Sequence, residues 1–132
     1  MTRILLVDSK KDVRDFVSRL FTERNFEVVS AANGVDALAS LKRLKPDIVL
    51  MDLILDDMDG IDVLRRLKKF RRRTKVIVIS STNDVDKMRE AKKCGIIRFF
   101  VKPIQLHELL EAVVKNAGRQ RRYFNMNRKV LC

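Results

Sequence analysis

Five times along this chain a short apolar run is followed by a segment whose apolar residues recur at helical spacing. No other feature restricts the fold so much. Strands alternating with helices read as βα units, which build a parallel sheet with helices on both faces. Right-handed crossovers then make the architecture α/β and doubly wound. The expected strands are Ile4–Asp8, Phe26–Ser30, Asp47–Asp52, Lys75–Ser80 and Ile96–Val101. Between them, one helix is faced by Val13, Phe16, Val17, Leu20 and Phe21. The next is faced by Val35, Leu38, Leu41 and Leu44 and stops before Pro46. The third carries Ile61, Leu64 and Leu67 behind Gly60. Asn33-Gly34 marks a turn, and Asn83 or Asp84 can cap a fourth helix with Val85, Met88 and Ala91 inward, closed by Gly95. Leu106, Leu109, Leu110, Val113 and Val114 define the last.

The third strand carries the strongest hint of chemistry. Ile48-Val49-Leu50-Met51 is apolar on both faces and ends in Asp52, with Asp56, Asp57 and Asp59 in the loop beyond. An acid there sits at the carboxyl rim of a parallel sheet, where such folds place their ligands; the plainer alternative is a helix cap. Asp8, Ser80 and Lys102 also follow strands. In a doubly wound sheet of order 2-1-3-4-5 these four groups converge on one rim, which unrelated caps would not do.

With 132 residues the chain fits one domain and one sizeable core. No apolar run approaches the roughly 20 residues of a membrane span. The chain enters a strand-like run without a signal-peptide layout, so a cytoplasmic location is expected. Cys94 and Cys132 do not make a disulfide framework, and no Cys/His cluster has zinc spacing.

In order and spacing, Leu6-Val7-Asp8, Asn33-Gly34-Val35-Asp36-Ala37-Leu38, Asp47-Ile48-Val49-Leu50-Met51-Asp52, Met58-Asp59-Gly60, Val78-Ile79-Ser80 and Phe100-Val101-Lys102-Pro103 resemble the receiver domain of two-component response regulators. The resemblance covers about residues 3–117 and is closest in kind to the single-domain chemotaxis regulator. It implies a flavodoxin-like (βα)5 receiver fold over residues 1–118. Asp52 would be the phospho-acceptor, Lys102 and Ser80 would assist it, and Phe99 would be the aromatic switch. Mg²⁺ would be held by Asp8, Asp52 and the Ile54 backbone carbonyl, and Lys102-Pro103 would be cis. The implied partners are a sensor histidine kinase or phosphotransfer protein and a downstream protein whose binding follows phosphorylation.

Two departures from the pattern bear on chemistry. Where the family has a second acid after the first strand, this chain has Ser9, followed by Lys10 and Lys11. A hydroxyl is a poorer ligand than a carboxylate, so weakened Mg²⁺ binding is expected, with Lys10 replacing part of the ion's charge. The positions that influence the hydrolytic water in the family are Ile54 and Thr82 here. Ile54 offers no hydrogen bond to a water, which predicts slow self-dephosphorylation.

Charge divides sharply. Residues 1–60 hold 9 Lys/Arg against 11 Asp/Glu, whereas residues 61–132 hold 20 against 6. Arg65, Arg66, Lys68, Lys69, Arg71, Arg72, Arg73 and Lys75 fall within eleven residues, with Leu67 and Phe70 as expected anchors. Residues 119–132 form a basic tail or helix extension in which Tyr123 and Phe124 sit among cations. Such features fit an acidic protein partner, an anionic surface or a nucleic acid. Two alternatives to a phosphorylation switch therefore stand: a pseudo-receiver that docks without phosphorylation, and an anion or nucleic-acid binder.

Overall fold

The computed structural model describes residues 1–117. The expected tail, 119–132, lies outside them. Five strands and five helices alternate: β1 (Arg3–Val7), α1 (Lys11–Thr22), β2 (Glu27–Ala31), α2 (Gly34–Leu44), β3 (Ile48–Met51), α3 (Gly60–Phe70), β4 (Lys75–Ser80), α4 (Val85–Lys93), β5 (Arg98–Val101) and α5 (Leu106–Lys115). All strand pairs are parallel, in the order β2-β1-β3-β4-β5.

Strand alternation divides the core into two layers. Ile4, Leu6, Ile48, Leu50, Ile77, Ile79 and Phe100 meet Val17 and Phe21 of α1 and Leu109 and Val113 of α5. Leu5, Val7, Val49, Met51, Val76 and Val78 meet Leu41 of α2, Val63, Leu64 and Leu67 of α3, and Ala91 of α4. The central strands are thus apolar on both faces because both faces are covered.

Short acidic and amide side chains start α2, α3 and α4. Asn33 accepts from the Asp36 amide at 2.8 Å, Asp59 from the Ile61 amide at 2.9 Å, and Asp84 from the Asp86 and Lys87 amides. Asn33 is therefore a cap rather than the residue of a free turn. Gly95 ends the α4 segment at φ 81°, a left-handed backbone that glycine adopts without penalty.

Several helix-face expectations need correcting. Phe16 is 54% exposed, Val35 61%, Val85 63% and Phe70 52%. Phe16 and Val35 stand beside the buried arc of their helices, whereas Val85 opens α4 and Phe70 closes α3. In α2 the inward side is carried by Leu41 and by Ala37 and Ser40, two small residues that let the helix lie close. No helix among the described residues is long and apolar enough to cross a membrane.

Candidate functional site

The ladder extends past the strand ends and fixes the rim. The Asp8 amide donates to the Ala31 carbonyl at 3.1 Å, the Asp52 amide to Val7 at 2.9 Å, and the Lys102 amide to Ser80 at 2.9 Å. These bonds hold three side chains within reach of one another. The Lys102 ammonium lies 2.9 Å from Asp8 Oδ2 and 2.9 Å from Asp52 Oδ2. The Ser80 hydroxyl donates to Asp52 Oδ1 at 2.9 Å, and the Ile54 amide donates to the same oxygen at 2.9 Å. Asp8, Asp52 and Ser80 are all buried. The four residues singled out on the strand ends do converge.

Two buried carboxylates with one ammonium leave a local excess of negative charge. Burial pulls the Lys102 ammonium down, but hydrogen bonds to Asp52 and Asp8 and their charges outweigh it, so its pKa lies above the ordinary lysine value. It stays a cation at every physiological pH. The Lys102–Pro103 peptide is cis.

Neighbouring residues divide between the site and its scaffold. The Lys10 amide, at 2.9 Å, holds Asp8 Oδ1, and the Lys10 side chain is exposed. Its ammonium makes no ion pair with Asp8 or Asp52, so the expected charge replacement falls to Lys102. Ser9 is half-buried beside the site. Phe99 is half-buried and packs on the layer that includes α4. Asp56 is an exposed loop acid. Among the described residues no group of three or more carboxylate, thiol or imidazole side chains could hold a metal ion. Asp8, Asp52 and the Ile54 carbonyl remain as hard oxygen donors, and one or two carboxylates with waters are a sufficient Mg²⁺ set.

One anchoring residue carried no local signal. Asp57 accepts from the Gly34 amide at 2.8 Å and the Val35 amide at 3.0 Å, so it caps α2 from another loop. Those two bonds depress the Asp57 carboxyl below its usual range. A cap so distant in sequence leaves no spacing to read.

The basic run is not uniform. Arg65 pairs with Glu90 at 2.7 Å and Asp62 at 3.3 Å, and Lys68 donates to the Thr74 carbonyl at 2.9 Å. Arg66, Lys69, Arg72 and Arg73 are exposed without an ion pair among the described residues, and Arg71 is half-buried.

Buried acids converging with a lysine and a hydroxyl at the carboxyl rim of a 2-1-3-4-5 sheet define a doubly wound α/β domain with a polar site at that rim. Residues 4–114 match the family model for the response regulator receiver domain. The chain belongs to that family, and so to two-component signalling. It is 33% identical over 113 residues to sporulation initiation phosphotransferase F of Bacillus subtilis, covering 86% of this chain and 91% of that protein. It is 37% identical over 114 residues to the chemotaxis protein CheY of Thermotoga maritima, covering 86% and 95%. A CheY-like receiver structure from Methanospirillum hungatei superposes with a TM-score of 0.87 at 24% identity, covering 92% and 98%, a likeness of fold.

Proposed function

We propose that this chain is a phosphorylation-controlled interaction switch in which Asp52 accepts a phosphoryl group. One observation carries the reading: the Asp52 carboxylate is held between the Lys102 ammonium and the Ser80 hydroxyl. An Asp52 oxygen attacks phosphorus, the new P–O bond forms as the P–N bond of a kinase or phosphotransfer-protein phosphohistidine breaks, and the imidazole leaves with the electron pair. Such transfers need positioning and neutralisation of the equatorial oxygens more than covalent help. Lys102 supplies a fixed positive charge for them, and the Ser80 hydroxyl turns from the carboxylate to the phosphoryl oxygen. Mg²⁺, which receiver domains of the CheY type generally bind, would be held by Asp8, Asp52 and the Ile54 carbonyl. When bound it supplies further neutralisation of phosphoryl charge.

The phosphoryl group, with a charge of about −1.5 to −2 in place of the carboxylate's single one, draws the β4–α4 loop inward and repacks Phe99 with the face of α4, β5 and α5. Binding to a downstream protein changes with that face. Receiver domains are signalling domains and not, in general, enzymes; here the site assists only its own phosphorylation and dephosphorylation. The receiver unit spans residues 1–118, 119–132 is a basic tail or helix extension, and the setting is the cytoplasm, where its kinase would present phosphohistidine.

The test is intact mass after incubation with a small phosphodonor, with and without Mg²⁺, on the wild type and Asp52→Asn. One added phosphoryl group requiring both Mg²⁺ and Asp52 is the expected result. No gain at saturating Mg²⁺ would overturn the reading and leave a domain that signals by docking alone.

A further inference from the structure

Phosphorylation makes no use of the opposite end of the sheet, where the densest positive charge lies. Two adjoining recesses open there. One is a groove of about 380 Å³ between α2 and α3, lined by Leu38, Leu41, Lys42, Arg66, Lys69 and Phe70. The other, of about 820 Å³, shares Lys69 and Phe70 and continues across Lys45, Arg71, Arg72, Arg73 and Lys75. Lys42, Lys45, Arg66, Lys69, Arg72 and Arg73 are exposed, and none has a carboxylate partner among the described residues. The one acid in the wall, Asp47, is already committed to the Arg3 amide at 2.8 Å.

We propose that this α2–α3 face docks an acidic, amphipathic peptide segment of a partner protein, whatever the phosphorylation state of Asp52. Three observations converge on that occupant. The groove floor is apolar, from Leu38, Leu41 and the half-exposed ring of Phe70, and its rim is cationic. A ligand that satisfies both must carry an apolar side chain flanked by carboxylates. The Phe70 ring carries Lys42 Nζ 5.6 Å from its centroid and Arg71 at 5.2 Å, so cations are held against the floor where carboxylates would meet them. A nucleic-acid base would have to displace those cations to stack. Finally, Arg71 is half-buried in the wall of the adjoining recess, where its guanidinium can pair with an incoming carboxylate.

The helix C-terminus accounts for part of the charge, since Lys68 and Lys69 lie in the last turn of α3 and face the negative end of its dipole. The C-terminus of α2 does the same for Lys42 in its last turn and Lys45 at its cap, which leaves Arg72 and Arg73, past the Arg71 cap of α3, outside that account. From Asp47 to Asp52 the chain runs along β3 at about 3.3 Å per residue, roughly 16 Å, so the recesses and the acceptor share no side chain.

Fluorescence anisotropy of the full chain with a labelled Leu/Glu amphipathic helical peptide tests this. Saturable binding is expected, weakened on the order of tenfold by Lys42→Glu with Lys69→Glu, and by a similar factor by Phe70→Ser. Asp52→Asn should leave it unchanged. All three surface residues are exposed, and unchanged urea midpoints would show that the variants still fold. The proposal is overturned if the peptide does not bind, or if polyglutamate binds as tightly and Phe70→Ser has no effect. Tighter binding of duplex DNA or of phosphatidylserine vesicles through the same residues also overturns it, as does self-association of the chain through this face in sedimentation.

Discussion

The Asp57 carboxylate takes the Gly34 amide across 23 residues of chain, at 2.8 Å, and so ties the loop behind the acceptor to the start of α2. A carboxyl held below its ordinary value stabilises the fold in full above the unfolded pKa and loses that contribution as pH falls through the lower folded value. Asp57→Asn should therefore unfold at lower urea than the wild type at neutral pH. The gap should narrow once the pH drops below about 3.9, where the unfolded carboxylate protonates, and then through the folded value. Urea midpoints across that range check the sign.

Gly60 offers a backbone test. A Cβ there would run into the Leu53 carbonyl and Cα, and the Gly60 amide donates to that carbonyl at 3.1 Å. Because neither side can rotate away, Gly60→Ala should cost about 1–3 kcal/mol. Leu53 adjoins Asp52, so phosphorylation measured by intact mass should slow in parallel.

Lys102→Met leaves two buried carboxylates facing each other. Breaking a buried ion pair costs about 3–5 kcal/mol, and the partial exposure of Lys102 brings the expectation to roughly 2–3 kcal/mol. Phosphoryl transfer should fall by roughly a hundredfold or more, as when one fixed stabiliser of developing charge is removed. A variant phosphorylated at the wild-type rate would remove Lys102 from the mechanism.

Ile54 is 48% exposed at the mouth of the site, so replacing it leaves the core intact. Ile54→Asn introduces groups that orient a water, and the phosphoryl half-life should shorten on the order of tenfold. Equal decay of the two proteins, followed by intact mass, would remove Ile54 from control of hydrolysis.

The sequence made the strand–helix alternation legible because the central strands are covered on both faces and therefore read as unbroken apolar runs. The same logic found Asp8, Asp52, Ser80 and Lys102, since each stands at the end of such a run. Helix faces were less legible. Phe16, Val35 and Val85 keep helical spacing but fall outside the arc that reaches the sheet, and periodicity cannot fix where a contact ends. Asp59 was readable as an acid just before a helix, whereas the grip of Asp57 on α2 depends on two loops meeting in space. Division of labour within the basic run was equally hidden: only the fold brings Glu90 to Arg65.

Cations at the amino ends of the strands and carboxylates at the carboxyl ends give the domain a permanent electric dipole along the sheet. A charged neighbour turns such a body before touching it, so encounters start with the correct end forward. A phosphoryl group on Asp52 would carry about −1.5 to −2 charges in place of the carboxylate's single one, and would strengthen that aligning torque. Chemistry at that end would thereby change how the whole molecule is steered, before anything touches its surface.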